Sequence, residues 1–169
     1  QLGLFDHVGS LRVASTRESL KELIRFQVIA GKDLDYSYCY PHAAFDQRSM
    51  KWDLNYFKYY FLKLAKIPFD EQKLEDGFNT FAEFLISADN KYFLYRDFQS
   101  RNILVQNDHL YFIDYQGGRK GALQYDVASL LFQAKVNLPT KTREELLEFY
   151  LREVNQRSEI RSQRFKKYY

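Results

Sequence analysis

The sequence predicts an α+β fold that is mostly α, and three observations carry that prediction. Glycine and proline are scarce, seven and three in 169 residues, too few to supply the turns of an all-β fold. Apolar residues recur at three- and four-residue spacing over most of the chain, the signature of amphipathic helices. Over residues 92–113 that spacing gives way to short apolar runs with turn chemistry between them. No internal repeat, low-complexity run or Pro/Ser-rich linker divides the chain.

The elements follow in order. Ser15 and Glu18 fit a capping box, after which Leu20, Leu23, Ile24 and Val28 recur at helical spacing until Gly31 offers a stop. Residues 48–66 read as a long aromatic-rich helix ending before Pro68, with Leu54, Phe57, Phe61 and Leu64 as its apolar stripe. A further helix is expected over 76–88, with Phe78, Phe81, Ala82 and Leu85 on one face. Residues 92–95 are short and aromatic. The apolar runs 103–105 and 110–113 flank Gln106-Asn107-Asp108-His109, which predicts a β-hairpin. After Asp126, helical spacing returns in Val127, Leu130, Leu131 and Ala134. Thr142 and Glu145 make a second capping box ahead of Leu146, Leu147, Tyr150, Leu151 and Val154.

Composition excludes several classes. With 46% hydrophobic and 28% charged residues the chain is ordinary globular material. It lacks the roughly 18 uninterrupted apolar residues of a membrane span and a basic stretch leading an apolar signal core. The formal charge is +3, but residues 157–169 carry +4 and the rest sum to −1. The body therefore has no charge signature of a nucleic-acid surface, and neither nucleic acid nor membrane is expected as a partner. The basic segment 157–169 reads as an interrupted helix with a solvated face, on which Phe165, Tyr168 and Tyr169 would lack burial. A single cysteine, Cys39, excludes an internal disulfide and points to a reducing, cytoplasmic setting. His7, His42 and His109 are scattered and read as solvated, so no zinc site is expected.

The hairpin sets up the chemistry. If its turn is centred on Asp108, Asn102 and Asp114 lie opposite each other on one face. Their amide and carboxylate oxygens are hard ligands suited to Mg²⁺ completed by water and phosphate. Asp97 precedes Asn102 by five residues, close enough to take a proton from an attacking hydroxyl. Base, Asn ligand, hairpin and Asp ligand in that order match the phosphoryl-transfer template of kinase-like enzymes, with Asp97-x-x-x-x-Asn102 as its loop.

The stretch Tyr95-Arg96-Asp97-Phe98-Gln99-Ser100-Arg101-Asn102, with Ile113-Asp114-Tyr-Gln116 and Tyr125-Asp126-Val-Ala-Ser-Leu-Leu131, resembles the aminoglycoside phosphotransferase/choline kinase superfamily. Within it, the motifs look most like the N-acetylmuramate/N-acetylglucosamine anomeric kinases. The specific match covers about 92–131. A looser one reaches Leu4-Phe5-Asp6-His7-Val8, similar to the helix after a kinase hinge, and the segment Tyr40-Pro-His-Ala-Ala-Phe45.

The resemblance implies the C-terminal lobe of a protein-kinase-like fold over 1–169, with the nucleotide-binding N-terminal lobe outside it. It implies Asp97 as catalytic base, Asn102 and Asp114 as Mg²⁺ ligands, and Asp126 with Arg96 as support of the catalytic loop. Leu104 and Ile113 would lie under the adenine of ATP. Tyr95 stands where many relatives carry His, which implies a changed loop anchor. Trp52, Asp53, Tyr56 and Arg101 are candidate acceptor contacts. Arg101 and Arg119 would pair with phosphate or acidic substrate groups, or else with loop carboxylates.

Asp126 has a second reading as a plain helix N-cap, with Ser129 three residues on. The expected activity is ATP- and Mg²⁺-dependent phosphorylation of a hydroxyl on a small molecule, an amino sugar or related sugar, and residues 1–169 alone are expected to be inactive. An aminoglycoside or choline-type acceptor is the alternative within the enzyme class. The excess of basic residues over 48–66, where Asp53 stands against Arg48, Lys51, Lys58, Lys63 and Lys66, argues against a polycation. Outside that class stands a non-catalytic pseudokinase or regulatory binding module.

Overall fold

The computed structural model describes residues 13–157 and 165–169. The fold is mostly helical, with two small antiparallel sheets, as the periodicity predicts. Helix α1 runs Val13–Ile24 and continues as a π turn, Arg25–Ile29, and a 3₁₀ turn, Ala30–Lys32. It buries Leu20, Leu23 and Ile24. Ser15 lies inside this helix, its carbonyl accepting from Ser19 Oγ at 2.8 Å, so Ser15 and Glu18 are not a capping box.

Helix α2, Gln47–Phe57, is capped by Asp46, whose carboxylate accepts from Ser49 N at 2.8 Å; it continues as a π turn, Lys58–Lys63. It packs on α3, Glu71–Ile86, capped by Asp70. The expected apolar stripe on 48–66 is not the packed face: Phe57, Phe61 and Leu64 are 45%, 53% and 71% exposed. Met50, Leu54 and Lys58, four residues apart, are the less exposed row. The Lys58 ammonium reaches Glu71 and Glu75 of α3 at 2.8 and 2.7 Å. That ion pairing keeps the Lys58 face against α3 and leaves the aromatic ladder outside.

Strand β1, Tyr92–Leu94, precedes the hairpin of β2, Ile103–Gln106, and β3, His109–Phe112. A fourth strand, β4, Arg119–Gly121, pairs with β1. A β-carbon on Gly118 would stand 2.4 Å from the Phe93 ring, and one on Gly121 2.6 Å from Leu94. The glycines that read as loop material let two strands close up. Ala44 forms a parallel bridge to Lys120, laying the 43–45 segment along the other edge of β4.

The hairpin register corrects the expected pairing. Gln106 faces His109 across a two-residue turn in which Asn107 and Asp108 both have positive φ, 50° and 60°, as primed hairpin turns require. The turn centre therefore lies between these residues, and Asn102 meets Ile113, whose N–H donates to its carbonyl at 3.0 Å.

Helix α4, Leu123–Leu131, starts three residues before Asp126 and stops short of Ala134. Asp126 is thus in its first turn and is not its N-cap. Helix α5, Thr140–Asn155, begins two residues before Thr142, so the second capping box also falls inside a helix. Helices α1, α4 and α5 enclose the main core with Phe98 and Tyr150. Phe165 is 2% exposed and packs on Tyr150 at 5.5 Å between ring centres. Tyr168 and Tyr169 pack on Phe84 and Phe132. The expectation that these three lack burial is therefore wrong, because the last turn docks on α5 and α4, with Gln124 Nε2 donating to the Phe165 carbonyl. Leu4–Val8, with His7, and Arg161 and Arg164 lie outside the described residues. Among the described residues no helix is long and apolar enough to cross a membrane.

Candidate active site

The site begins where β1 ends. Tyr95 N and Arg96 N both donate to the Asp126 carboxylate, at 2.8 and 3.0 Å. Arg96 has φ of 84°, a conformation unfavourable for a side chain with a β-carbon. Asp126 is fully buried and also accepts from Gln27 Nε2 at 3.3 Å, while Gln27 Oε1 accepts from the Tyr150 hydroxyl at 2.7 Å. Burial pushes the Asp126 carboxyl up to about 7, and the N–H donors pull the other way. The Arg96 guanidinium forms a fork on Asp53 with bonds of 2.7 and 2.6 Å, donates to Tyr125 Oη at 2.6 Å and covers the Phe45 ring at 4.7 Å. Backbone and side chain of Arg96 are thus both pinned, which holds the next residue, Asp97.

From Asp97 the chain turns tightly. Its carbonyl accepts from Gln99 N at 2.8 Å and from Asn102 Nδ2 at 2.9 Å. Its carboxylate faces Gly117, where a β-carbon would lie 3.8 Å from Oδ2. Asn102 is buried, and its Nδ2 stands 3.3 Å from Asp114 Oδ2. The register does not place Asp114 opposite Asn102. Asp114 instead takes φ of 68°, turning out of the strand so that its carboxylate comes back to Asn102. Gln116 Nε2 holds the other carboxylate oxygen. The Tyr95 hydroxyl donates to the Ile113 carbonyl at 3.0 Å and so anchors the chain just before Asp114. Burial and then the Asp114 charge push this phenol up to about 12.

Asp97, Asn102 and Asp114 thus come together on one loop and the end of one hairpin. Among the described residues no three His, Cys, Asp or Glu side chains cluster as an all-protein metal cage. One amide and one carboxylate oxygen fit Mg²⁺, which usually keeps water and substrate phosphate as its other ligands.

The remaining candidates lie further out. Leu104 and Ile113 are exposed on the same hairpin face as Asn102 and Tyr111. Arg101 is exposed and has no ion pair among the described residues. Asp53 is occupied by Arg96. Tyr56 stacks on Tyr60, 4.3 Å between ring centres. Trp52 is exposed and, with Phe45, Arg48, Arg96 and Arg119, lines a cavity of about 370 Å³. Gln27, Phe45, Tyr125 and Tyr150 are structural members of the site that the sequence reading missed. Tyr125 had a signal, since it precedes Asp126 in the motif; Gln27 had none.

A model of the phosphotransferase enzyme family matches residues 35–161, three quarters of the chain. The chain belongs to this family. Its fold is shared with the ADP-bound aminoglycoside phosphotransferase APH(2'')-Ib, at 15% identity and a TM-score of 0.53 over 84% of this chain and 52% of that one. A streptomycin–ATP complex of APH(2")-IIa aligns over 92% of this chain and 69% of that one, at 12% identity and a TM-score of 0.42. The chain spans about half the length of the first of these solved relatives. A comparison with curated proteins returns no match.

Proposed function

We propose that this phosphotransferase chain carries the catalytic half of an ATP- and Mg²⁺-dependent enzyme that phosphorylates a hydroxyl of a small molecule. The observation that carries the reading is the approach of Asn102 to Asp114, with the same Asn102 amide bonded to the Asp97 carbonyl. Asp97 orients the acceptor hydroxyl and takes its proton. Asn102 and Asp114 would hold Mg²⁺, which neutralises charge on the phosphates. Asp126 and Asp53, acting through Arg96, keep Asp97 in place, and such positioning is most of what phosphoryl transfer asks of a protein. Leu104 and Ile113 offer an apolar surface for adenine, facing a nucleotide-binding lobe elsewhere in the same protein. The need for ATP and the single cysteine fit a cytoplasmic setting.

For the acceptor, the motif resemblance over 92–131 favours an amino sugar. An aminoglycoside is the second reading, favoured by the shared fold with APH(2'')-Ib. Against it, Asp53, the one acid of α2, is occupied by Arg96 and is not free for a cationic amine. The test is turnover of the intact protein with ATP·Mg on amino sugars, neutral hexoses, aminoglycosides and choline. Asp97→Asn is expected to lower kcat by about 10²–10⁴-fold while leaving the circular dichroism unchanged. Near-wild-type turnover in that variant refutes the assignment.

A further inference from the structure

We infer that the cavity beside Asp97 is a subsite for a negatively charged group on the acceptor, a carboxylate or a phosphoryl group, held by Arg119 and Arg48. The inference rests on the reading of Asp97 given above and narrows its substrate class. The cavity of about 370 Å³ is lined by three arginines, His42, Phe45 and Trp52 among others, and by no acidic side chain. Of the arginines, Arg96 is neutralised by Asp53. Asp46, at the start of α2, spends its carboxylate on Ser49 N and Oγ at 2.8 and 2.9 Å.

Arg119 is different. It is 7% exposed, its Nε donates to the Gly117 carbonyl at 3.0 Å, and it has no ion pair among the described residues. Burial and the neighbouring Arg96 charge both lower its hold on its proton. A guanidinium largely shielded from water with no carboxylate paired to it is costly, and an anion in the cavity would offset that cost. The parallel bridge between Ala44 and Lys120 brings His42 and Phe45 alongside, while α2 adds Arg48 and Trp52. Gly117, whose carbonyl fixes Arg119, also faces the Asp97 carboxylate. An acceptor with its charged group on Arg119 therefore has a hydroxyl within reach of Asp97. The exposed Trp52 ring supplies an apolar wall for a sugar face.

The experiment compares matched acceptors on the intact protein: glucuronate against glucose, glucose 6-phosphate against glucose, and kanamycin as a polycation. Binding is read at constant ionic strength by calorimetry and by tryptophan emission, with Trp52→Phe as the control that assigns the signal. Turnover is read with ATP·Mg. The acidic member of at least one pair is expected to bind about tenfold more tightly, as bidentate guanidinium pairing allows. Arg48→Ala, on the exposed surface of α2, and Arg119→Gln are each expected to bring it down towards its neutral partner. Equal or weaker binding of both acidic members overturns the inference, as does a preference that survives both substitutions. A preference for kanamycin does so too, and leaves the phosphotransferase reading standing. Tight, arginine-dependent binding of an acidic sugar without turnover supports the subsite and counts against Asp97 as the base.

Discussion

Arg96 shows how much of this site is decided by single residues. Its positive φ would be unfavourable in a free loop, yet the fork on Asp53 and the bond from its N–H to Asp126 hold it there. Asp126 is the other anchor. An asparagine in its place would point an amide nitrogen at an N–H donor, so Asp126→Asn is expected to cost about 1–3 kcal/mol in urea denaturation at pH 5. The pH dependence has a definite sign. Burial raises this carboxyl from 3.8 to about 7, so the folded protein holds the proton more tightly than the unfolded chain. Its contribution to stability is full below about pH 3.8 and is lost as pH rises towards 7. The stability difference between wild type and Asp126→Asn should therefore shrink over that window, and a difference that grows rules the account out. Asp97, Asn102, Asp114 and Asp126 were legible in the sequence because their spacing is local. The partners Gln27 and Asp53 were not, since they come from the π turn after α1 and from α2 and carry no local pattern.

At the scale of elements, helices and hairpin were legible from periodicity, and their ends were not. Ser15 and Thr142 have the chemistry of caps, but α1 already runs from Val13 and α5 from Thr140, so both lie inside their helices. The sequence centres the hairpin turn on Asp108, half a residue from its true centre. That shift moves the partner of Asn102 from Asp114 to Ile113, and the left-handed turn at Asp114 restores the contact. Strand β4 was hidden because Gly117 and Gly118 read as loop. Its pairing with β1 depends on the missing β-carbon at Gly121, so Gly121→Ala, which would meet Leu94 at 2.6–2.8 Å, is expected to destabilise by about 1–3 kcal/mol. A urea midpoint equal to wild type contradicts that dependence.

For the molecule as a whole, nothing in the composition of the basic terminal segment signals that its residues 165–169 pack on the core. Charge dominates its composition, while three aromatics decide its placement. Phe165 fills the space beside Tyr150, and Phe165→Ala is expected to cost about 3–5 kcal/mol, read as a fall in thermal midpoint. An unchanged midpoint means the segment is not part of the folded unit. The buried bonds among Gln27, Asp126 and Tyr150 carry one last consequence. Gln27 meets Asp126 across 99 residues and Tyr150 across 123. Closing such long stretches of chain is slow compared with winding a helix or zipping a hairpin. The hairpin with Asn102 can form early from neighbours alone, whereas the turn that aims Asp97 waits for Gln27 and Tyr150 to reach Asp126. In the order of folding, Asn102 and its hairpin come first and the loop that carries Asp97 comes last.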